Sequence, residues 1–267
     1  MPELPEVQTV LDGVKSVLKG RAITGVECYY PGTLIRDDMP DPFPAAFVSA
    51  YRRGKYMILQ LDNDAGIIVH LRMTGKLVYE SDPQLPHRHE RARICLEGGD
   101  ALRFIDPRTF GKITLFKWAN LDLFLPRLGP EPLGEDFHAS YLAQRLKGRS
   151  APIKNLLLDQ GIVAGLGNIY VCELLYRSGI RPDLAGAKLK RKQAEKIVQK
   201  TREVLTEALA VGGTSISDYR QIDDKTGEFQ NFLQVYQKKQ CPKGHKLENI
   251  RLGGRSSFFC PVCQGGE

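Results

Sequence analysis

Leu128-Gly129-Pro130-Glu131-Pro132-Leu133 divides the chain into two stretches of different period. Two prolines and a glycine in six residues favour extended or turn geometry, so 128–133 reads as an interdomain hinge. On its N-terminal side, from about 22 to 118, short β-like runs alternate with turns: 46–50, 56–61, 66–71, 102–105 and 112–116. That spacing predicts a sandwich or barrel layer. On its C-terminal side the period becomes helical, with helices expected near 137–147, 153–159, 169–178 and 188–211, the last stopped by Gly212-Gly213. The fold class is α+β, strands first and helices after.

The chain has 267 residues, 42% of them apolar, which is enough for two cores. Its formal charge of +7 and pI near 9.0 favour a polyanionic partner, DNA or RNA. No apolar run reaches membrane-spanning length, and the acidic, proline-broken start does not read as a signal peptide. A cytosolic protein is expected, associated with the nucleoid in a bacterium. Of six cysteines, Cys28, Cys95 and Cys172 lie singly in apolar segments and read as buried thiols, and a disulfide framework is not expected. The stretch from Thr214 to Phe232 is polar without a clear period and reads as a long loop.

Met1-Pro2-Glu3-Leu4-Pro5-Glu6 opens the chain. Removal of Met1 leaves Pro2 with a free secondary amine. An α-amino group titrates near ~8 where lysine sits near ~10.4, so more of it is unprotonated and able to form an imine at neutral pH. Pro5 and Glu6 suit a helix start, and Val7, Val10, Leu11, Val14, Val17 and Leu18 follow at amphipathic spacing until Gly20. Taken alone, the six residues read first as a good helix start and nothing more.

Near the other end, Cys241-Pro-Lys-Gly-His245 and Cys260-Pro-Val-Cys263 form two short ligand pairs separated by fourteen residues that include Gly253-Gly254. Two knuckles on a small hairpin need this spacing. Three thiolates and an imidazole suit tetrahedral Zn²⁺ with no open position, hence one structural zinc. Gly244 stands where a Cys-x2-Cys knuckle would put its thiol, and His245, one residue on, is the nearby substitute.

Between these ends, Lys154 precedes Gly161-Ile-Val-Ala-Gly165-Leu-Gly167-Asn168. Three glycines let backbone amides approach an anion, with Asn168 expected to cap the following helix and add a donor at its positive end. A tight connection between helices accounts for the glycines as well.

Taken together, the chain resembles the formamidopyrimidine-DNA glycosylase family, bifunctional base-excision enzymes that remove oxidised purines. The resemblance is carried by Met1 to Val7, Arg53-Gly-Lys55-Tyr, His70-Leu-Arg-Met73-Thr-Gly75, Asp106-Pro-Arg108-Thr-Phe110-Gly111, Leu128 to Leu133, Lys154, Gly165-Leu-Gly-Asn168-Ile-Tyr170, Gly212-Gly-Thr214 and the cysteine-rich tail, in order along the chain. It implies an N-terminal β-sandwich with flanking helices (1–127), the hinge (128–133), a helix-two-turn-helix domain carrying a lesion-capping loop (134–235) and a zinc-finger hairpin (236–267), with duplex DNA as partner and monomeric action. It implies Pro2 as the nucleophile at C1′ of the damaged nucleotide, Glu3 as acid and base, Lys55 beside the lesion phosphate, Arg255 in the second elimination, and Glu6 in support of the terminus. The Schiff base then permits strand cleavage by β- and δ-elimination. Met73, Arg108 and Phe110 match the triad that fills the space of an everted nucleotide, and His70, His87, Arg149, Lys154 and Asn168 match contacts to the DNA backbone. A metal set of three cysteines and a histidine departs from the family's four cysteines. The related endonuclease VIII type, acting on oxidised pyrimidines, is the nearest alternative, but Leu4 and the complete Met73, Arg108, Phe110 set favour the purine branch. A non-catalytic zinc-hairpin protein binding damaged DNA is the alternative from another class, against which Pro2, Glu3 and Lys55 stand.

Overall fold

A computed structural model describes residues 1–214 and 227–265. The chain divides into two compact units, one of 1–126 with 211–228 and one of 127–210 with 229–267.

The first unit opens with α1 (Leu4–Leu18), capped one residue earlier than expected. Glu3 is the N-cap, Pro5 falls in the first turn, and the carboxylates of Glu3 and Glu6 each accept the other's backbone N–H. Leu4, Val7, Val10, Leu11, Val14 and Leu18 are buried, each contributing about 1.5–3 kcal/mol relative to exposure. They face a layer of strands: β1 (Ala22–Cys28), β2 (Leu34–Arg36), β3 (Ala45–Arg53), β4 (Tyr56–Leu61), β5 (Ala65–His70), β6 (Lys76–Glu80), β7 (Glu90–Leu96), β8 (Ala101–Ile105) and β9 (Lys112–Lys117). The order is β2-β9-β5-β4-β3-β1-β7-β8-β6. The join at β1 and β3 is narrow, with only Ala22↔Ala46 and Ile23↔Ala45 paired, so two sub-sheets fold over one core containing Met57, Ile67, Val69, Ile94, Phe104 and Ile113. A short helix α2 (Leu121–Phe124) covers Phe116 on the outer face.

The five expected strands are present, β4 with the expected limits, but β1, β2, β6 and β7 carry no alternating pattern strong enough to have been read. In β7 the reason is charge. Arg93 stands directly across from Arg103 of β8, both buried, a pairing that would repel but for the Glu90 carboxylate, which accepts from Nε of each at 2.8 Å. Cys28, expected buried, is exposed at the end of β1, where its thiol donates to the Tyr30 carbonyl.

The second unit holds α3 (Ala139–Leu146), α4 (Ile153–Leu158), α5 (Asn168–Ser178), α6 (Arg191–Ala210) and the hairpin of β10 (Glu248–Leu252) and β11 (Arg255–Phe259). The 128–133 segment is fastened to the loop before α5: Gly129 N–H donates to the Gln160 carbonyl at 2.8 Å and Ala164 N–H to the Pro130 carbonyl at 3.0 Å. A Cβ on Gly129 would sit 2.5 Å from the Ile162 carbonyl, so only glycine fits. α5 ends at Gly179, whose φ of 69° is the left-handed cap. Of the 214–232 stretch, 215–226 lies outside the described residues, and 229–232 forms a 3₁₀ turn with Phe229 buried against Tyr170. No helix among the described residues is long and apolar enough to cross a membrane.

Glu173, fully buried on α5, accepts the backbone N–H groups of Gln234, Val235 and Tyr236 at 2.9–3.0 Å. It fixes the chain that leads into the hairpin. Glu173→Gln replaces one acceptor by a donor facing those N–H groups, at about 3 kcal/mol. Hydrogen exchange at the 234–236 amides is expected to accelerate about 100-fold. Unchanged exchange at these three amides would remove the anchoring role.

Candidate functional site

The first unit carries Pro2, Glu3, Glu6, Lys55, His70, Met73, His87, Arg108 and Phe110, and the second carries Arg149, Lys154, Asn168, Arg255 and the Cys/His cluster. Pro2 and Glu3 are buried at the start of α1, Glu3 only 3% exposed. Glu6 Oε2 accepts the Glu3 N–H at 2.8 Å while Oε1 accepts the Thr214 N–H at 2.7 Å. The carboxylate thus ties the terminus to the segment that begins at Gly212-Gly213. A Cβ at Gly213 would meet Glu6 Oε1 at 2.7 Å, so this close approach needs glycine, and its φ of 79° suits glycine too.

Lys55, 6% exposed, occupies the turn between β3 and β4, where Gly54 has φ 57° and its carbonyl accepts from Arg52 Nη1 at 2.8 Å. His70 ends β5, with its ring edge-on to Tyr56 at 4.4 Å between centroids. Its Nδ1 accepts the Arg72 N–H at 3.0 Å, which places the ring proton on Nε2. Burial, helped by the cations of Arg72 and Lys55, pushes the His70 pKa down to about 3.

Met73 and Phe110 are 41% and 49% exposed and stand on two tight turns. The Met73 turn closes with Gly75 N–H to the Leu71 carbonyl at 3.0 Å; the other holds the Arg108 guanidinium 5.0 Å from the Phe110 ring centroid. His87 is exposed, on a loop that the Glu90 network grips from below. The Glu90 carboxylate also accepts the His87 N–H at 2.9 Å, Arg93 Nη1 donates to the Pro83 carbonyl at 3.1 Å, and Arg103 donates to that of Leu85. Burial opposes ionisation of Glu90, but the bonds from Arg93, His87 and Arg103 outweigh it and hold its pKa below the usual value. Neighbouring His89, on the same polar loop, has its pKa lowered by burial and by Arg88 and Arg91.

In the second unit Lys154 is fully buried, and its Nζ donates to the Ser256 carbonyl at 2.6 Å and to Ser257 Oγ at 2.7 Å. Asn168 Nδ2 donates to the same carbonyl at 3.1 Å. The two side chains expected at one anion site therefore converge on β11, next to Arg255. Asn168 is not the cap: Gly167 occupies that position in extended geometry, and Asn168 is the first helical residue, free to reach across to the hairpin. Arg255 is exposed and lines an open groove with Asn155, Leu158, Asp159 and Gly253. Arg149 is exposed in the loop after α3, its carbonyl accepting from Ala187 N–H at 2.7 Å. It lies on a different segment from the residues that bond the hairpin.

Cys241, His245, Cys260 and Cys263 bring three Sγ atoms and one nitrogen within 4.8 Å of one another. His245 Nδ1 lies 3.6, 3.7 and 3.3 Å from Cys241, Cys260 and Cys263, and Cys241 lies 3.9 Å from Cys263. The cluster is able to bind one metal ion. Burial raises the Cys241 pKa, but the backbone N–H groups of Lys243 and His245 lower it further, to about 6.

Residues 1–113 match the formamidopyrimidine-DNA glycosylase N-terminal domain and 128–220 the formamidopyrimidine-DNA glycosylase H2TH domain. Formamidopyrimidine-DNA glycosylases of Ruegeria and Synechocystis are 38% and 42% identical, each over 99% of this chain and over 100% and 98% of their own lengths. The crystal structure of the MutM (Fpg) protein of Thermus thermophilus superposes with a TM-score of 0.90 at 35% identity, covering 100% of both chains. Lactococcus lactis Fpg, solved with DNA containing an abasic site, superposes with a TM-score of 0.90 at 33% identity over 99% of this chain and 100% of that one. The wild-type Lactococcus lactis protein has also been solved with DNA containing N7-benzyl-Fapy-dG, at a TM-score of 0.90 and 33% identity over the same shares of the two chains. With both halves matched in order and relatives aligned from end to end, the chain belongs to the formamidopyrimidine-DNA glycosylase family.

Proposed function

We propose that this protein excises oxidised purines, 8-oxoguanine and formamidopyrimidines, from duplex DNA and then nicks the strand, with Pro2 as nucleophile once Met1 is removed. The observation that carries the residue assignment is the Glu6 carboxylate, which fixes the backbone of Glu3 and hence the peptide that joins it to Pro2. The freed amine attacks C1′, the base leaves with a proton, and the iminium that results acidifies the C2′ hydrogen. Loss of that hydrogen breaks the bond to the 3′ phosphate, and a second elimination breaks the bond to the 5′ phosphate. Glu3 shuttles protons at the opened sugar, Lys55 holds the phosphate beside it, Arg255 serves the second elimination, and Glu6 positions the terminus.

The remaining assignments follow the same logic. An everted nucleotide leaves a gap that a thioether and an aromatic ring can fill while a guanidinium bonds the orphaned base, which fits Met73, Phe110 and Arg108. His70, His87, Arg149, Lys154 and Asn168 serve as contacts to the DNA backbone, with 128–133 as hinge between the domains they occupy. His70 binds as a neutral donor through Nε2–H, since its ring does not charge at physiological pH. We assign one structural Zn²⁺ to the Cys/His cluster. A tetrahedron with Zn–S of ~2.3 Å and Zn–N of ~2.0 Å would have edges of about 3.8 Å between sulfurs and about 3.5 Å from sulfur to nitrogen, close to the four separations of 3.3–3.9 Å, with all four ligand atoms within 4.8 Å. Localisation to the cytoplasm, at the nucleoid in a bacterium, follows from the substrate.

Three outcomes are expected. Borohydride reduction during turnover of duplex carrying 8-oxoguanine traps an adduct that mass spectrometry places on Pro2 of a chain lacking Met1, while Pro2→Gly loses excision far more than DNA affinity, because backbone contacts dominate binding. An adduct on any other residue, or none, removes Pro2 from the chemistry. Elemental analysis finds about one zinc per chain, and chelation unravels the tail as read by hydrogen exchange across 236–265; a zinc-free protein with full protection there defeats the metal assignment. Finally, a His70 pKa held below its unfolded value of about 6.5 gives stability that is full above that pH and lost on acidification towards 3, at on the order of 1.4 kcal/mol per pH unit. NMR should find the His70 ring neutral from pH 8 to pH 5, and a titration midpoint near 6.5 would contradict the burial argument.

A further inference from the structure

The two turns that present Met73 and Arg108/Phe110 share one buried anchor. Asp106 is fully buried at the end of β8. Its Oδ1 accepts the Thr74 hydroxyl and the Arg108 N–H, the latter at 3.2 Å, and its Oδ2 accepts the Gly111 N–H at 2.7 Å. Its backbone joins a third loop: Asp106 N–H donates to the His89 carbonyl at 2.9 Å, and the Asp106 carbonyl accepts from Arg91 Nε at 2.7 Å.

Both turns are too tight to drift independently of their anchor. A Cβ on Gly75 would sit 2.5 Å from the Leu71 carbonyl oxygen, and one on Gly111 would sit 2.3 Å from the Phe104 ring and 3.2 Å from Asp106 Oδ2. Arg72 and Thr109, next to the exposed tips, take left-handed φ values of 54° and 61°, which neither residue favours in isolation. The Thr74 hydroxyl, by its bond to the Asp106 carboxylate, ties the Met73 turn to this anchor.

We propose that Asp106 and Thr74 are positioning residues that lock the Met73 turn and the Arg108/Phe110 turn into a single rigid wedge, so that the three side chains enter the base stack together. A carboxylate suits this task because it accepts several hydrogen bonds at once, each stronger than one to a neutral acceptor. If the turns moved separately, each would have to be ordered as the nucleotide leaves the stack, and that entropy would slow eversion. The inference rests on the wedge reading of Met73, Arg108 and Phe110, and its test keeps the two apart.

The experiment compares Thr74→Val, which keeps shape but removes the hydroxyl, with Thr74→Ser, which keeps the hydroxyl, and with Met73→Ala and Met73→Ala/Thr74→Val. Excision of 8-oxoguanine is measured in duplex and in single-stranded DNA, with 2-aminopurine beside the lesion reporting eversion. Thr74→Val is expected to slow eversion and excision about tenfold in duplex while leaving single-stranded excision and affinity for undamaged duplex within twofold. Thr74→Ser restores the wild-type rate. The double variant is no slower than Met73→Ala alone, because Thr74 acts through Met73. Wild-type eversion in Met73→Ala would defeat the wedge reading itself. An impaired Met73→Ala beside an unimpaired Thr74→Val, or additive losses in the double variant, would defeat the coupling and leave the wedge standing. A second measurement needs no variant: hydrogen exchange of the wild-type Gly75 and Gly111 amides should show protection within about tenfold of each other, as parts of one opening unit, and a difference above about 100-fold would overturn the lock.

Discussion

The carboxylate of Glu6 holds two backbone N–H groups, one three residues before it and one 208 residues after it, and the candidate chemistry depends on this bond pair. An N-terminal nucleophile has one covalent attachment, and chain ends fray unless something ties them. Here the first turn of α1 is buried, its cap is reciprocal, and its Glu6 reaches the Gly213-Thr214 backbone. Because Gly213 cannot carry a side chain in that position, the contact is set by backbone geometry and not by packing that a neighbour could relax. The backbone immediately after Pro2 is thereby held at two points.

The same device recurs wherever a functional segment leaves the regular elements. Glu90 grips the loop bearing His87, Asp106 joins two exposed turns, and Glu173 receives three successive N–H groups of the chain leading to the hairpin. Each anchor is buried and each acts on backbone outside helix or strand. A carboxylate inside a protein costs several kcal/mol to desolvate, and the cost is offset when all its lone pairs are used. Multiple N–H donors meet that condition. The cations differ in partner: Arg93 and Arg103 close on Glu90, whereas Lys154 reaches a carbonyl and a hydroxyl of β11.

Much of this was legible in the residues. The period change about Leu128–Leu133, the four longer helices of the second half, the five apolar strands and the Cys/His spacing all follow from local chemistry, which is why their limits fall within a few residues of the observed elements. What was not legible depends on partners distant in sequence. β7 reads as a polar segment until Arg103 and Glu90 are known to lie beside Arg93. Asn168 reads as a cap until Ser256, 88 residues away, supplies a better bond. Cys28 reads as core because its strand is short and apolar, yet it sits at the exposed end of β1. Thr74 and Asp106 lie inside the quoted motifs, but nothing local says that one bonds the other across 32 residues.

These long-range bonds also divide the site by rigidity. In the proposed role, Met73, Arg108 and Phe110 meet a flexible polymer without themselves being ordered at that moment, because each rotamer or turn fixed on binding subtracts from the affinity gained. Placing the tips on turns bound to one carboxylate moves that ordering into folding, where burial of α1 against the sandwich supplies free energy. Neutral His70 obeys the same economy. A ring that bonds Arg72 through Nδ1 and stays neutral until the pH falls towards 3 keeps a single tautomer and a single orientation, so its Nε2–H is aimed in advance for the proposed backbone contact. Precision in the exposed groups is thus a property of buried polar bonds beneath them, and a buried substitution that leaves every exposed side chain in place is enough to abolish it.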